Sequence, residues 1–295
     1  FNDSSGIILG PGDDAALFFA KKSDLIFSTD VSNSDIHFPK TLSPDLIAYR
    51  ACCVAASDIP ACGGTLKWLS ISLVTPSKEL GWLKDFARGL KQFTKTYQVP
   101  VIGGDLVKGK ECSVSVGVCG EVGRKEFISR NGAKVGDSIY VSGVLGIAKL
   151  GLKTIQSKKK TLSTEEKKYI KKFLQPKVHT KLGKNLRNIA SSCIDISDGL
   201  LGDLGHICKE SNLGAEINID SIPYIGPFEE ALTWGDDYEL CFTVPKSKEI
   251  KFSQIFKKKK IKKFKIGEMT LDKGLRIFKG KKEIFIKGKS YNHLS

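Results

Sequence analysis

Short apolar runs suited to strands alternate along this chain with stretches of helical periodicity, and that alternation constrains the fold more than any other feature. It argues for α/β units rather than a helical bundle or a β-sandwich. Leu25 to Thr29 and Val99 to Ile102 read as strands. Between them Ser43-Pro44-Asp45 opens a helix, with a capping residue followed by Pro at the first helical position, and the pattern runs on toward Ala56. A second helix is expected over Lys78 to Tyr97. The polar, Gly-bearing stretch Arg130 to Asp137 precedes a fresh strand, Ser138 to Ser142, and predicts a domain boundary there. Beyond it we expect helices over Thr164 to Leu174, Thr180 to Ala190 and Leu200 to Ser211. Strands are expected over Cys193 to Ser197 and around Glu216 and Leu240. A chain of 295 residues suits two domains, predicted here as 1–133 and 134–295.

The net charge of +15 raises the question of a nucleic-acid partner. Only six of the 47 basic residues are Arg, and the Lys residues gather in runs such as Lys158 to Lys160 and Lys257 to Lys263. Lys suits solvated faces, whereas base reading and bidentate phosphate clamps favour Arg, so we expect no nucleic-acid partner. No apolar run reaches the roughly 18 residues needed to span a bilayer, and Phe1 to Ser5 lack a signal-peptide pattern. The expectation is a cytosolic protein without a membrane partner. None of the eight cysteines falls in a C-x-x-C pair, so they read as reduced core residues.

Carboxylates in this basic chain collect beside Gly and small polar residues at the ends of strands and helices. They occur in Gly12-Asp13-Asp14-Ala15, Ser28-Thr29-Asp30, Ser57-Asp58, Gly103-Gly104-Asp105, Asp195-Ile196-Ser197-Asp198-Gly199 and Gly235-Asp236-Asp237-Tyr238-Glu239. A lone Gly-Asp is usually a turn or a cap. A set of them at strand ends of α/β domains converges on a ligand crevice, where carboxylates repel unless protonated or bridged by a hard cation such as Mg²⁺. Asp58 is expected at the C-terminal end of its helix, where the macrodipole disfavours negative charge. In Asp195-Ile196-Ser197 the strand period sets Asp195 and Ser197 on one face, with Ile194 and Ile196 in the core. Asp198, before Gly199 and a helix, fits an N-cap as well as a ligand.

Common nucleotide and hydrolase signatures are absent: there is no G-x-x-x-x-G-K-[ST], no kinase Gly-rich loop with its partners, no G-x-S-x-G and no H-E-x-x-H. Gly10-Pro11-Gly12-Asp13-Asp14-Ala15 fits a loose G-x-G-x-x-A, but two adjacent carboxylates would repel a pyrophosphate. If ATP binds, metal must hold its phosphates.

Taken in order, the acidic motifs, with His37-Phe38 after the second and Asp237-Tyr238-Glu239-Leu240 as the last, resemble those of thiamine-monophosphate kinases, within the aminoimidazole ribonucleotide synthetase superfamily. The resemblance spans nearly the whole chain. It implies two α/β domains, an N-terminal one that dimerises through its sheet and a C-terminal one, with the active site in the cleft between them. It further implies ATP as co-substrate, thiamine monophosphate as acceptor, several Mg²⁺ ions and a homodimer. The residues matching the family pattern are Asp14, Ser28, Thr29, Asp30, Asp58, Asp105, Asp195 and Asp198 for metal. Tyr97, Gly104, Asp105, Arg130 and Ser197 match for ATP, and His37 and Asp236 for the acceptor.

In two places the chain departs from the pattern. Asp236 stands where the family usually has Glu, one methylene longer, and Gly288 to His293 occupies the region where an aromatic residue usually stacks on the substrate. No His or Cys is placed by the motifs as a phosphate-accepting nucleophile, so transfer is expected to be direct and in line. The rival readings are a superfamily enzyme with another acceptor and, as a different class, a basic nucleic-acid-binding protein.

Overall fold

The computed structural model describes residues 7–9, 13–14, 16–18 and 23–286. Gly12 and Ala15 of the first acidic motif, Gly10 and Pro11 before it, and the 288–293 segment lie outside the described residues. The chain divides into two compact units. One comprises residues 1–60, 64–125 and 174–180; the other comprises 61–63, 126–173 and 181–295.

The first unit is a six-stranded sheet covered on one face by two helices. Its strands are β1 (Ile7–Leu9), β2 (Ala16–Phe18), β3 (Asp24–Asn33), β4 (Thr65–Thr75), β5 (Val101–Lys108) and β6 (Ser113–Val122), in the order β1-β2-β3-β6-β4-β5. Every pairing is antiparallel except β4 with β5, which the helix crossover makes parallel. The α/β expectation therefore holds, on a mixed sheet. Strand β3 outruns the expected Leu25 to Thr29, and β5 continues to Lys108 rather than stopping at Ile102. The long central strands β4 and β6 go beyond the expected set. Gly117 and Gly120 inside β6 weaken its strand signal, yet a Cβ at Gly120 would stand 2.4 Å from Ile59 Cγ2, so only Gly lets α1 settle on the sheet there.

Helix α1 (Pro44–Ala61) continues past Ala56, carrying Ser57 and Asp58 into its last turn. It is buried on almost every side, with Ala48, Cys52, Ala55, Ala56 and Ile59 fully covered. Small residues fit this helix because it is enclosed by the sheet and by α2 (Leu80–Tyr97). At the α1–α2 crossing a Cβ on Gly89 would lie 2.1 Å from the Asp45 carbonyl oxygen. Seven of the eight cysteines are buried and all eight are free thiols, as the sequence suggests.

The second unit holds a seven-stranded sheet in the order β13-β12-β9-β11-β7-β10-β8. Its strands are β7 (Ser138–Val141), β8 (Ser192–Asp195), β9 (Gly214–Asn218), β10 (Leu240–Val244), β11 (Phe264–Thr270), β12 (Gly274–Lys279) and β13 (Lys282–Ile284). Helix α6 (Leu200–Glu210) packs on one face through Leu200, Leu204 and Ile207 against Ile139, Ile194 and Ile217. The other face carries an aromatic cluster in which Phe242 meets Phe252 and Phe256 of α8 (Glu249–Lys258), beside α5 (Thr180–Leu186). Helices α3 (Ile147–Gln156), α4 (Thr164–Leu174) and α7 (Phe228–Thr233) complete the unit. Helix α5 ends four residues before the expected Ala190. Strand β8 ends at Asp195 rather than Ser197, because the chain turns there toward α6.

The Gly89 crossing yields a paired test. Gly89→Leu should lower stability by about 1–3 kcal/mol through overpacking. In the same helix Gly81→Ala meets nothing within 4 Å and should raise it by about 0.5–1 kcal/mol. Thermal melts of the two variants should move in opposite directions.

Candidate active site

In the first unit, β3 alternates between its two faces. Asp24, Ile26, Ser28, Asp30 and Ser32 are covered or half-covered, while Leu25, Phe27, Thr29 and Val31 are exposed on the opposite side. Ser28 and Asp30 therefore face the helices. Ser28 Oγ donates a 2.6 Å hydrogen bond to Oδ2 of Asp58, which reaches β3 from the last turn of α1. That turn contains no basic residue, so the helix C-terminus and the carboxylate bring negative charge together without a neighbouring cation from the helix. Asp14, 8% exposed, precedes β2, whose pairing with β3 ends at Ala16 opposite Phe27. A carboxylate oxygen of Asp14 lies within 4.8 Å of one of Asp58. One buried and one half-buried carboxylate at that spacing, with a hydroxyl beside them, form an all-oxygen donor set suited to a hard divalent cation.

Other expected ligands of this unit stand elsewhere. The Thr29 side chain is on the exposed face of β3, and its Oγ1 donates to the Val116 carbonyl at 3.4 Å. Asp105 lies on edge strand β5, in register with the exposed Ser72 of β4, and accepts the Leu106 amide at 2.8 Å. Strands β6 and β4 intervene between β3 and β5, placing Asp105 about 14 Å across the sheet from β3 at ordinary strand spacing. One copy of the chain does not bring Asp105 to Asp58. Gly104 beside it is required by packing alone, since a Cβ there would sit 1.7 Å from the Ile71 carbonyl oxygen.

Tyr97, at the end of α2, is half-buried; its hydroxyl accepts the Val178 amide at 3.1 Å, and its ring centroid is 4.7 Å from that of Phe93. Burial, with the Cys53 thiol nearby, raises its phenol above the ordinary value. His37 follows β3 in a tight turn, where Nδ1 accepts the Asn33 amide at 3.0 Å and its carbonyl accepts from Arg50 Nε at 3.3 Å. With Nδ1 an acceptor, the neutral ring carries its proton on Nε2.

In the second unit, Asp195 closes β8 and is 3% exposed, while Ile194 and Ile196 lie in the core as the strand period implies. Ser197 and Asp198 form the half-buried turn into α6. Asp198 is not the helix N-cap: Gly199 holds that position without a side-chain cap. Instead, Asp203 in the first turn reaches back to accept the Asp198 amide at 3.1 Å. Arg130 opens a short 3₁₀ turn, Arg130–Gly132, whose first carbonyl accepts from Ser211 Oγ at 2.9 Å. This turn packs against the entry to β8, for a Cβ on Gly132 would meet the Ser191 carbonyl oxygen at 1.9 Å.

The structure brings Ser197 and Asp236 together. The Asp236 amide donates to the Ser197 carbonyl at 2.9 Å, and a Cβ on Gly235 would fall 1.7 Å from that same oxygen. The remaining acidic residues of this motif point inward. Asp237 is fully buried and accepts the Gly146 and Ala148 amides at 2.7 and 3.3 Å. Burial pushes its carboxyl up to about 7, against the two amide bonds and Lys172, which lower it. Glu239, 7% exposed, accepts from Ser142 Oγ at 2.5 Å and pairs with Lys172 at 2.5 Å. Sequence reasoning grouped Asp237 and Glu239 with the candidate ligands and passed over Asp203, Lys172 and Ser142. Strand period sets Glu239 on the face opposite Leu240 and so gives no signal of its burial, and the partners of Asp237 lie 91 and 89 residues away.

The chain matches the AIR synthase related protein N-terminal domain over residues 12–122 and the C-terminal domain of the same family over 134–280. It is 38% identical to the thiamine-monophosphate kinase of Buchnera aphidicola subsp. Schizaphis graminum, covering 97% of this chain and 92% of that one. The chain belongs to the thiamine-monophosphate kinase family. Within that family it is 35% identical to the Escherichia coli (strain K12) kinase, with 97% of this chain and 92% of the other covered. The solved structure of AaThiL complexed with AMPPCP and TMP superposes with a TM-score of 0.86 at 31% identity, covering 96% of this chain and 91% of that one. The architecture of two α/β domains is thus the family's.

The raised carboxyl of Asp237 predicts a signature in stability. The native protein holds this proton more tightly than the unfolded chain, whose carboxyl titrates near 3.9. The contribution of Asp237 to stability therefore falls as pH rises from about 4 to about 7, then levels. The stability of the wild type minus that of Asp237→Asn, from urea unfolding, should fall over that window. A rise over the same window would contradict the burial argument.

Proposed function

We propose that this chain transfers the γ-phosphoryl group of ATP to thiamine monophosphate, giving thiamine diphosphate and ADP. The observation that carries the reading is the family membership across both domains, together with the similarity to a structure complexed with AMPPCP, an ATP analogue, and TMP. The Asp14, Ser28 and Asp58 group supports a metal-assisted form of the reaction. In this proposal Asp14, Ser28, Thr29, Asp30, Asp58, Asp105, Asp195 and Asp198 serve Mg²⁺, with Thr29 acting through its main chain. Tyr97, Gly104, Asp105, Arg130 and Ser197 serve ATP, Arg130 through its guanidinium and Gly104 through its backbone. His37, by its Nε2 edge, and Asp236 serve the acceptor. Residues 1–133 would hold metal and ATP and dimerise, and 134–295 would complete the site.

When bound among these carboxylates, Mg²⁺ would screen the repulsion between the two phosphate chains and stabilise charge on the transferring group. The acceptor phosphate is already ionised at neutral pH, so it needs orientation more than a strong base. Transfer is direct, since the buried cysteines are inert thiols and no side chain in the proposal is assigned as a nucleophile.

ADP release with thiamine monophosphate, thiamine or another phosphate or amine as acceptor tests the substrate assignment. Release with thiamine monophosphate alone is expected; release only with a different acceptor would replace it. Asp58→Asn should lower turnover at saturating Mg²⁺ by at least about 10²-fold. Without metal it should raise stability by about 0.3–1 kcal/mol, because a charge disfavoured by the helix dipole is gone. Turnover near wild type would remove Asp58 from the site.

A homodimer is the second part of the proposal. Leu25, Phe27 and Val31 on β3, and Ile102, Leu106 and Val107 on β5, are between 36% and 60% exposed, an apolar surface that a second copy of the sheet would cover. As part of the same proposal, Asp105 of one copy reaches the Asp58 group of the other. Asp58→Asn and Asp105→Asn should each be inactive alone. Equal mixtures, after subunit exchange, should recover about a quarter of wild-type activity, because half of the dimers then carry one intact site. No recovery in mixtures shown to exchange would place both residues in one copy. The free thiols and the proposed substrates favour a cytosolic location.

A further inference from the structure

The turn that carries Asp236 is held in an unfavourable backbone conformation. Asp236 and Tyr238 both have positive φ, 70° and 46°, a left-handed conformation that side chains disfavour and that persists only where the surroundings over-determine it. Between them, Asp237 has no exposed surface. Its Oδ2 accepts the Gly146 amide at 2.7 Å and its Oδ1 accepts the Ala148 amide at 3.3 Å. These donors belong to the start of α3, whose N-cap residue Gly146 supplies no side-chain cap of its own. Gly146 itself has φ 82°, and a Cβ there would meet the Ile225 carbonyl oxygen at 2.6 Å. Asp237 thus caps a helix from a distant turn and fastens that turn to the helix.

Neighbouring bonds complete the fastening. The Tyr238 amide donates to the Ile196 carbonyl at 2.9 Å, and the Ile196 amide donates to the Glu239 carbonyl at 2.7 Å. Glu239 is in turn clamped by Ser142 and Lys172. Backbone on both sides of Ser197 and Asp236 is therefore fixed, but the side chain of Asp237 is the tie that reaches the middle of the left-handed turn.

We propose that Asp237 is a positioning residue for the acceptor: by tying the 236–238 turn to the first turn of α3, it sets where the Asp236 carboxylate points. This rests on the assignment of Asp236 to thiamine monophosphate. Asn at 237 keeps the shape but replaces one acceptor oxygen with a donor facing a backbone amide, so the turn loses one tie. Ser197 shares backbone bonds with this turn but is also anchored by the pairing of Ile194 and Asp195 with Cys241 and Leu240, so the larger effect falls on the acceptor rather than on ATP.

The test is steady-state kinetics of Asp237→Asn, Asp236→Ala and the double variant, with both substrates varied. Asp237→Asn should raise KM for thiamine monophosphate about tenfold, the scale on which misplacement of a contact acts. KM for ATP should move less than twofold. In the Asp236→Ala background the same change should add less than twofold, because its effect passes through Asp236. An unchanged KM for thiamine monophosphate in Asp237→Asn, equal rises in both KM values, or a full further rise in the double variant would overturn the proposal. If Asp236→Ala alone leaves KM unchanged, the assignment of Asp236 fails and the proposal goes with it. Should Asp237→Asn lose its cooperative melt, Asp237→Glu is measured in its place with the same expectation. Loss of folding in both would assign Asp237 a purely structural role and overturn the proposal.

Discussion

The placement of Asp58 is the constraint on which the first unit depends. A carboxylate in the last turn of α1 meets the negative end of the helix dipole, and Asp14 brings a second carboxylate within 4.8 Å of it. Such an arrangement costs stability unless a cation offsets it. The surrounding packing makes it persist: α1 is built from Ala and Cys so that it can lie close on β3, β6 and β4, and Gly120 clears the way for Ile59 one residue beyond Asp58. The small-residue helix, the glycines in the strand and the acidic cluster are parts of one arrangement.

The second unit solves a different problem with the same residue type. Three of its buried carboxylates have amide, hydroxyl or lysine partners: Asp237 at the start of α3, Asp203 at the turn before α6, and Glu239 at Ser142 and Lys172. These bonds hold the Ser197 and Asp236 segments against each other. Acidic residues of this chain thus divide by environment. Asp237 and Glu239 accept protein donors and shape the backbone, whereas Asp14 and Asp58 bring carboxylate oxygens within 4.8 Å of each other and are the candidates for metal.

Much of this was legible in the sequence, for physical reasons that differ from residue to residue. The strand period placed Ile194 and Ile196 in the core, and Pro44 after Ser43 marked the start of α1. Asp58 could be assigned to a helix end because the helical pattern ran that far. What escaped depends on partners distant in sequence. Asp237 looks like a turn ligand until Gly146 and Ala148 are seen to donate to it, and Asp198 looks like an N-cap until Asp203 is seen to accept its amide. The separation of Asp105 from Asp58 follows from strand order, with β6 inserted beside β3, and no local pattern encodes that.

The central claim is that the Asp14, Ser28 and Asp58 group holds a divalent cation that the reaction uses. Titrating the metal-free protein with Mn²⁺, a paramagnetic stand-in for Mg²⁺, and following free Mn²⁺ by electron paramagnetic resonance tests it most directly. The wild type should take up Mn²⁺, more tightly when the non-hydrolysable analogue AMPPCP is present, and Asp58→Asn should lose at least one bound ion while still melting cooperatively. Equal uptake by the wild type and Asp58→Asn, with or without AMPPCP, would contradict the account.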